Sequence, residues 1–535
     1  MKSPGRGLAL LASILVLAPF PLACPGPGVQ EERAAAAPAP VALEDVLARA
    51  RAAAGWPALA AARGGLRASG ALRLRGTEGE FTLLFAPSGA FVRERQGRFA
   101  GAVGFDGTTA WSRDRSGLTR VLELEDRDVA LLEHWIATGL WLSPAIPLRF
   151  AVLDAGEETV RLRVAVPDTP LEGTLEIDRA SWLPRRLVLV TDGGENTWTF
   201  ADWRPIAGLL FAHSLTARDA GGLADVYTAR EGGPAPTFVR SPYACFPHAA
   251  EDTHFAPDVP AAVESRRAER TGHLLVHPRV NGEDVGWFIF DTGAGAMCID
   301  DDAADSLDLE AFGEETAVGV AGTLTARFRA AKDFVLGPLT LDDPIFVELE
   351  LGFLGPFLGV EIAGICGYDF LERAVVELTP STGALAVHDP AAFSLAGAEW
   401  RTLHVDENHP VVEASFEGDR TGFFKLDTGA ADTVTFHAPA VERLGLLEGR
   451  EVKRTLAMGV GGGGTGYRGQ LEWFALGGHR FEAPTVGFAM VATGAFRDAY
   501  TLGNIGQELL APFRVVLDYP HRRIAFVPRD GEEPR

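Results

Sequence analysis

A chain of 535 residues is too long for one ordinary core, and 47% hydrophobic with 23% charged residues is the composition of a folded protein of several domains, not of a disordered or fibrous one. Its 72 Asp and Glu outweigh 49 Lys and Arg, and the net charge of −23 repels phosphate backbones, so nucleic acid is not expected as a partner. The four cysteines, Cys24, Cys245, Cys298 and Cys366, are too few for a disulfide scaffold and form no Cys-x-x-Cys pair.

The chain begins with Lys2 and Arg6, then an apolar run from Leu8 to Phe20, then the small residues Ala23 and Cys24. That order of charge, apolar core and small residues is a secretory signal over residues 1–23, too short for a bilayer-spanning helix and followed by prolines. Pro21-Leu22-Ala23-Cys24 resembles the lipobox of bacterial lipoproteins, which makes Cys24 a candidate acylation site, although Pro21 stands where that family has an aliphatic residue. Residues 24–40 are rich in Pro, Gly and Ala without periodicity, as in a flexible tether. The expected location is exported, either periplasmic or held at the bacterial envelope through Cys24.

From Val41 to about Arg63, Leu43, Val46, Leu47 and Ala50 recur at helical spacing and predict one amphipathic helix. Alternating segments follow, Ala71–Arg75, Phe81–Phe85 and Phe91–Glu94, separated by Gly-containing turns as in antiparallel strands. Helix returns at Val129–Trp135, and further short strands run to about Ala229. Phe105-Asp106-Gly107 with Trp111, Glu176–Asp178 leading to Leu183–Arg186, and Ala201–Trp203 with Gly208 resemble features of the periplasmic lipoprotein-carrier fold, an antiparallel half-barrel wrapped around a helix. The resemblance implies a domain over 41–232 whose concavity holds acyl chains, so lipid or lipoprotein is its expected partner; a plain spacer fits the same residues. Residues 233–269, opening on Gly233-Pro234-Ala235-Pro236, read as a linker.

The most informative feature is an internal repeat. Gly286–Ala294 aligns without gaps to Gly422–Ala430, placing Asp291-Thr292-Gly293-Ala294 over Asp427-Thr428-Gly429-Ala430 at an offset of 427 − 291 = 136. Gly364–Leu371 then matches Gly503–Leu510 at 503 − 364 = 139. One Asp-Thr-Gly turns up by chance in roughly one chain in ten of this size. Two copies, each after an apolar strand and each before an apolar Gly-containing element at nearly equal distance, do not.

These residues resemble aspartic proteases of the retropepsin-like class, in which Asp-Thr-Gly holds the catalytic acid and a later apolar-apolar-Gly segment braces its loop. The resemblance implies a mainly β chain: the half-barrel with helices, then two tandem acid-protease β-domains, 270–392 and 400–530, forming a pseudo-twofold pair. It implies a monomer with an intrachain dyad of Asp291 and Asp427, needing neither metal nor cofactor, and a peptide or protein substrate. Thr292 and Thr428 suit hydroxyl bonds across the axis, and Gly293 and Gly429 suit close backbone approach. Gly319 and Gly322 in the first copy, and Gly459 and Gly461 in the second, look like the tips of flaps that open for a peptide and close over it.

Two carboxylates in contact share one proton, so one acts as base toward water and the other as acid toward the scissile carbonyl. Ala294 and Ala430 leave no hydroxyl beside either acid, which predicts a working pH nearer neutral than strongly acidic. Cys298 and Cys366 read as buried thiols, and the 12 histidines, lacking metal-ligand spacing, as scattered core or surface groups. The expected function is an exported aspartic endopeptidase. The alternative is a noncatalytic envelope protein that binds lipid or lipoprotein with one half and an extended peptide with the other.

Overall fold

The computed structural model describes residues 41–529 apart from 63, 192, 320–321, 460–461 and 491–493. The signal, the tether, Cys24 and Gly461 lie outside the described residues.

The N-terminal part is one antiparallel sheet of 13 strands, a half-barrel in which the strand Leu66–Leu74 joins Ala224–Pro234 near the middle of the order. The helix Leu124–Ala137 lies against it: Leu132 and Ile136 pack with Leu162, Leu175 and Leu187 of one half, while Leu131 and Trp135 pack with Phe85, Phe91 and Tyr227 of the other. Trp135 also donates from Nε1 to the Gly89 carbonyl at 2.9 Å, so its burial leaves no polar atom unsatisfied.

The single amphipathic helix expected over 41–63 is two, Leu43–Ala54 and Trp56–Ala61. Gly55 separates them in the left-handed region at φ 72°, and a Cβ there would sit 2.3 Å from the Gly208 carbonyl oxygen, so only glycine fits this corner.

The repeat is two β-domains with the same strand order. In the first, the strand Trp287–Phe290 enters the Asp291 loop and runs parallel to Ile362–Cys366, which is flanked on its other side by Cys298–Asp300. In the second, Arg420–Leu426, Gly503–Ile505 and Val434–Phe436 take the same places. Each sheet ends in a long hairpin, Glu310–Val318 with Thr323–Ala330 and Val452–Gly459 with Gly462–Gln470.

The copies are sewn together by a shared sheet, in which Val375–Thr379 pairs antiparallel with Phe513–Asp518. One apolar core runs through both, from Phe288, Phe290 and Phe334 to Phe416, Phe424 and Phe436. The segment read as a linker contributes strands of its own: Thr253–Phe255 pairs with Leu339–Asp342, and Ser265–Arg267 with Leu274–Val276.

The half-barrel docks on the repeats through ion pairs. Arg373, 7% exposed, contacts Asp252 at 2.9 Å, Asp114 of the half-barrel at 2.8 Å and Glu372 at 2.5 Å. Removing one partner from such a cluster leaves like charges facing each other with little water. Arg373→Ala is therefore expected to cost about 3 kcal/mol of stability and to expose the Asp114 seam to protease, as read by thermal melting and limited proteolysis.

Candidate active site

Each acid loop is held from below by its own repeat. The Asp291 N–H donates to the Cys366 carbonyl at 3.1 Å and the Asp427 N–H to that of Ile505 at 2.9 Å. Gly367 and Gly506 end these bracing segments because a Cβ would lie 2.2 Å from the Ala296 carbonyl oxygen in one copy and 2.3 Å from that of Asp432 in the other.

Across the axis the loops hold each other. Thr292 Oγ1 donates to the Leu426 carbonyl at 2.7 Å and accepts from the Thr428 N–H at 3.0 Å; Thr428 Oγ1 donates to the Phe290 carbonyl at 3.0 Å and accepts from the Thr292 N–H at 3.0 Å. Both threonines are 1% exposed, so the four bonds form away from competing water.

This grip brings the two carboxyl groups into hydrogen-bonding contact. A Cβ on Gly293 would fall 2.4 Å from Asp427 Oδ1, and one on Gly429 would fall 2.4 Å from Asp291 Oδ2, so each glycine makes room for the acid of the other repeat. Asp291 Oδ1 accepts the N–H groups of Gly293 at 2.7 Å and Gly429 at 3.0 Å. Burial raises Asp291 to about 6 against those two donors. Burial and then the Asp291 charge raise Asp427 to about 8. The pair titrates as a unit, and its singly protonated state holds one charge and one proton between the two acids.

Both acids thus hold protons in the fold at pH values where an unfolded carboxyl, near 3.9, has lost its own. Between about pH 4 and pH 8 the native state binds more protons than the unfolded one, so this pair's contribution to stability falls as pH rises through that window. Asp427→Asn is accordingly expected to melt at or above wild type at pH 8, with the advantage gone near pH 4, in a series of thermal melts.

Two histidines without an assigned role in the sequence belong here. His273 Nε2 donates to the Gly429 carbonyl at 2.9 Å and His409 Nε2 to the Gly293 carbonyl at 3.1 Å, a second reciprocal link across the axis. Their separation, 409 − 273 = 136, is the offset of the two aspartates, a signal that the reading of the histidines as scattered core or surface groups passed over.

The first hairpin reaches the second repeat. Its tip closes with the Gly319 N–H on the Gly322 carbonyl at 2.8 Å, and the Gly319 carbonyl accepts the N–H of Ala495 in the second repeat at 3.2 Å. The half-barrel braces this hairpin from outside: Arg75 pairs with Glu315 at 2.9 Å, and the Phe99 ring lies 4.8 Å from that of Phe328. Gly459 of the second hairpin pairs with Gly462 beside its tip.

Cys298 and Cys366 are buried free thiols whose ionisation burial pushes up, which leaves neither as a nucleophile. The described residues also show what fills the half-barrel. Its face is packed by the helices Leu43–Ala54 and Leu124–Ala137, and two cavities beside the second of them, about 560 and 270 Å³, are lined by Arg75, Arg95 and Glu133 among others, the larger also by Tyr368 and Glu372 of the first repeat. Their walls mix these charged groups with apolar ones such as Val103, Leu122 and Trp198.

Residues 276–370 and 412–508 each match a family model described as aspartyl protease. Both repeats thus match the aspartyl protease family. Among solved structures, the chain is similar to an aspartic proteinase from Irpex lacteus, 11% identical over 51% of this chain and 99% of that one, TM-score 0.34. It is also similar to a LolA superfamily protein from Nitrosomonas europaea, 14% identical over 37% of this chain and 96% of that one, TM-score 0.28. A third is a DUF1329 family protein from Desulfovibrio piger, 9% identical over 36% of this chain and 90% of that one, TM-score 0.26. Against curated proteins the chain has no significant match.

Proposed function

We propose that the chain is an exported aspartic endopeptidase whose dyad is Asp291 and Asp427. The observation that carries this reading is the meeting of the two carboxyls inside the reciprocal threonine grip, with both acids retained. In the singly protonated dyad, Asp291 takes a proton from a water molecule as its oxygen attacks the scissile carbonyl carbon. Asp427 gives its proton to the carbonyl oxygen, forming a gem-diol. Collapse of that intermediate breaks the C–N bond, a proton passes to the leaving nitrogen, and the dyad regains its starting state. The first hairpin, bonded to Ala495 of the second repeat, acts in this reading as the flap that keeps bulk water from competing.

Export rests on the charge, apolar run and small residues of 1–23, and attachment on Cys24. Among the described residues no helix is long and apolar enough to cross a membrane. The half-barrel's partner in this reading is lipid, lipoprotein or the protease domains themselves, and the bracing of the first hairpin favours the last.

The test is proteolysis of an unfolded protein substrate in water enriched in oxygen-18, with products read by mass spectrometry. Water attack places one heavy oxygen at each new C-terminus. Intact substrate after prolonged incubation across pH 4–9 would leave the noncatalytic reading in its place.

A further inference from the structure

The two repeats differ where they touch their acids. In the first, Ile289 of the entering strand lies beside Ile365 of the bracing strand; in the second, the same positions are Lys425 and Asn504. Asn504 Nδ2 donates to Asp427 Oδ2 at 3.1 Å, a contact Ile365 cannot make to Asp291. Its Oδ1 faces His437 Nε2 at 2.9 Å.

His437 is fully buried, and burial holds its pKa below the usual range; with Asn504 Nδ2 turned to Asp427, the Asn504 Oδ1 is placed to accept from His437 Nε2. Its Nδ1 faces Thr501 Oγ1 at 3.3 Å. Thr501 in turn caps Asp498, which pairs with Lys425 at 3.1 Å, and Lys425 reaches Glu407 at 3.2 Å. The amide of Asn504 is thus fixed by a buried network that the first repeat replaces with isoleucines.

Ala430, three residues after Asp427, offers that acid no side-chain hydroxyl. Resting on the dyad described above, we propose that Asn504, oriented by His437, is a positioning residue that supplies this missing donor to Asp427 alone and sets the affinity of the dyad for its shared proton. In the proposed mechanism Asp291 takes the first charge, so the Asn504 donor acts chiefly on the second ionisation, when Asp427 becomes negative. The donor works against the charges that face Asp427, those of Asp291 and Asp432. The groups facing His437 are Asp498 and Lys425.

The experiment is a carboxyl titration of the full chain labelled with carbon-13 at aspartate Cγ, with the dyad signals assigned through Asp291→Asn and Asp427→Asn. Asn504→Ile, which puts the bracing residue of the first repeat in the place of this donor, is expected to raise the upper ionisation of the dyad by about one pH unit, the size of one hydrogen bond to a charge. His437→Phe shifts it in the same direction, and His437→Gln, which keeps a donor toward Asn504 Oδ1, returns it toward wild type. An unchanged upper ionisation in folded Asn504→Ile overturns the proposal, whether or not His437→Phe folds; so does a His437→Gln that tracks His437→Phe. Because the titration needs no turnover, a wild type without peptidase activity would sink the functional reading while leaving this one to be decided by the shift. In an active enzyme, the basic limb of the kcat/KM profile moves up with it.

Discussion

Asp291→Asn and Asp427→Asn are each expected to lower kcat/KM for peptide cleavage by at least about a thousandfold, because each removes one partner of an acid–base pair that works only as a unit. Neither change should unfold the protein, since an amide fits the carboxyl's space and ends the like-charge conflict that burial imposes. Mixing the two inactive variants should restore nothing: the loops meet through bonds within one chain, from Thr292 to Leu426 and from Thr428 to Phe290. Recovery of activity on mixing would mean that the dyad forms between chains.

Gly429→Ala and Gly293→Ala are expected to act almost as strongly from a position that bears no charge. The new methyl carbon would stand 2.4 Å from a carboxylate oxygen of the opposite acid, well inside van der Waals contact, so the acid or the loop must move. A displacement near 1 Å costs roughly a hundredfold in rate. The loss should fall on kcat more than on KM, because the substrate-binding walls are untouched. Steady-state kinetics on both variants, beside thermal melts to verify the fold, read this directly.

Much of this site was legible in the sequence because the repeat prints its essential residues twice. Aspartate, threonine and glycine recur at one offset, and the threonine grip follows from the chemistry of a hydroxyl beside two backbones. His273 and His409 obey the same offset but stand 18 residues before each acid (291 − 273 and 427 − 409), outside the segment whose pattern stands out. Asn504 was hidden for the opposite reason: self-comparison reveals what two copies share, and its role lies in departing from Ile365.

The strands of the half-barrel were readable from their alternation, whereas its docking was not. Arg373 meets Asp114 across 259 residues of chain, and no local pattern announces such a pairing. The break at Gly55 depends likewise on the Gly208 carbonyl, far away in sequence. The charged groups in the cavity walls, Arg75 and Arg95 of the sheet and Glu133 of the helix, are likewise brought together only by folding.

The most direct test of a buried dyad that shares one proton is the pH profile of kcat/KM for peptide cleavage by the wild-type chain. A bell is predicted, its limbs set by the pair as a whole, with its maximum near neutrality between the raised values of about 6 and about 8. Activity greatest below pH 4, or still climbing above pH 9, would contradict it.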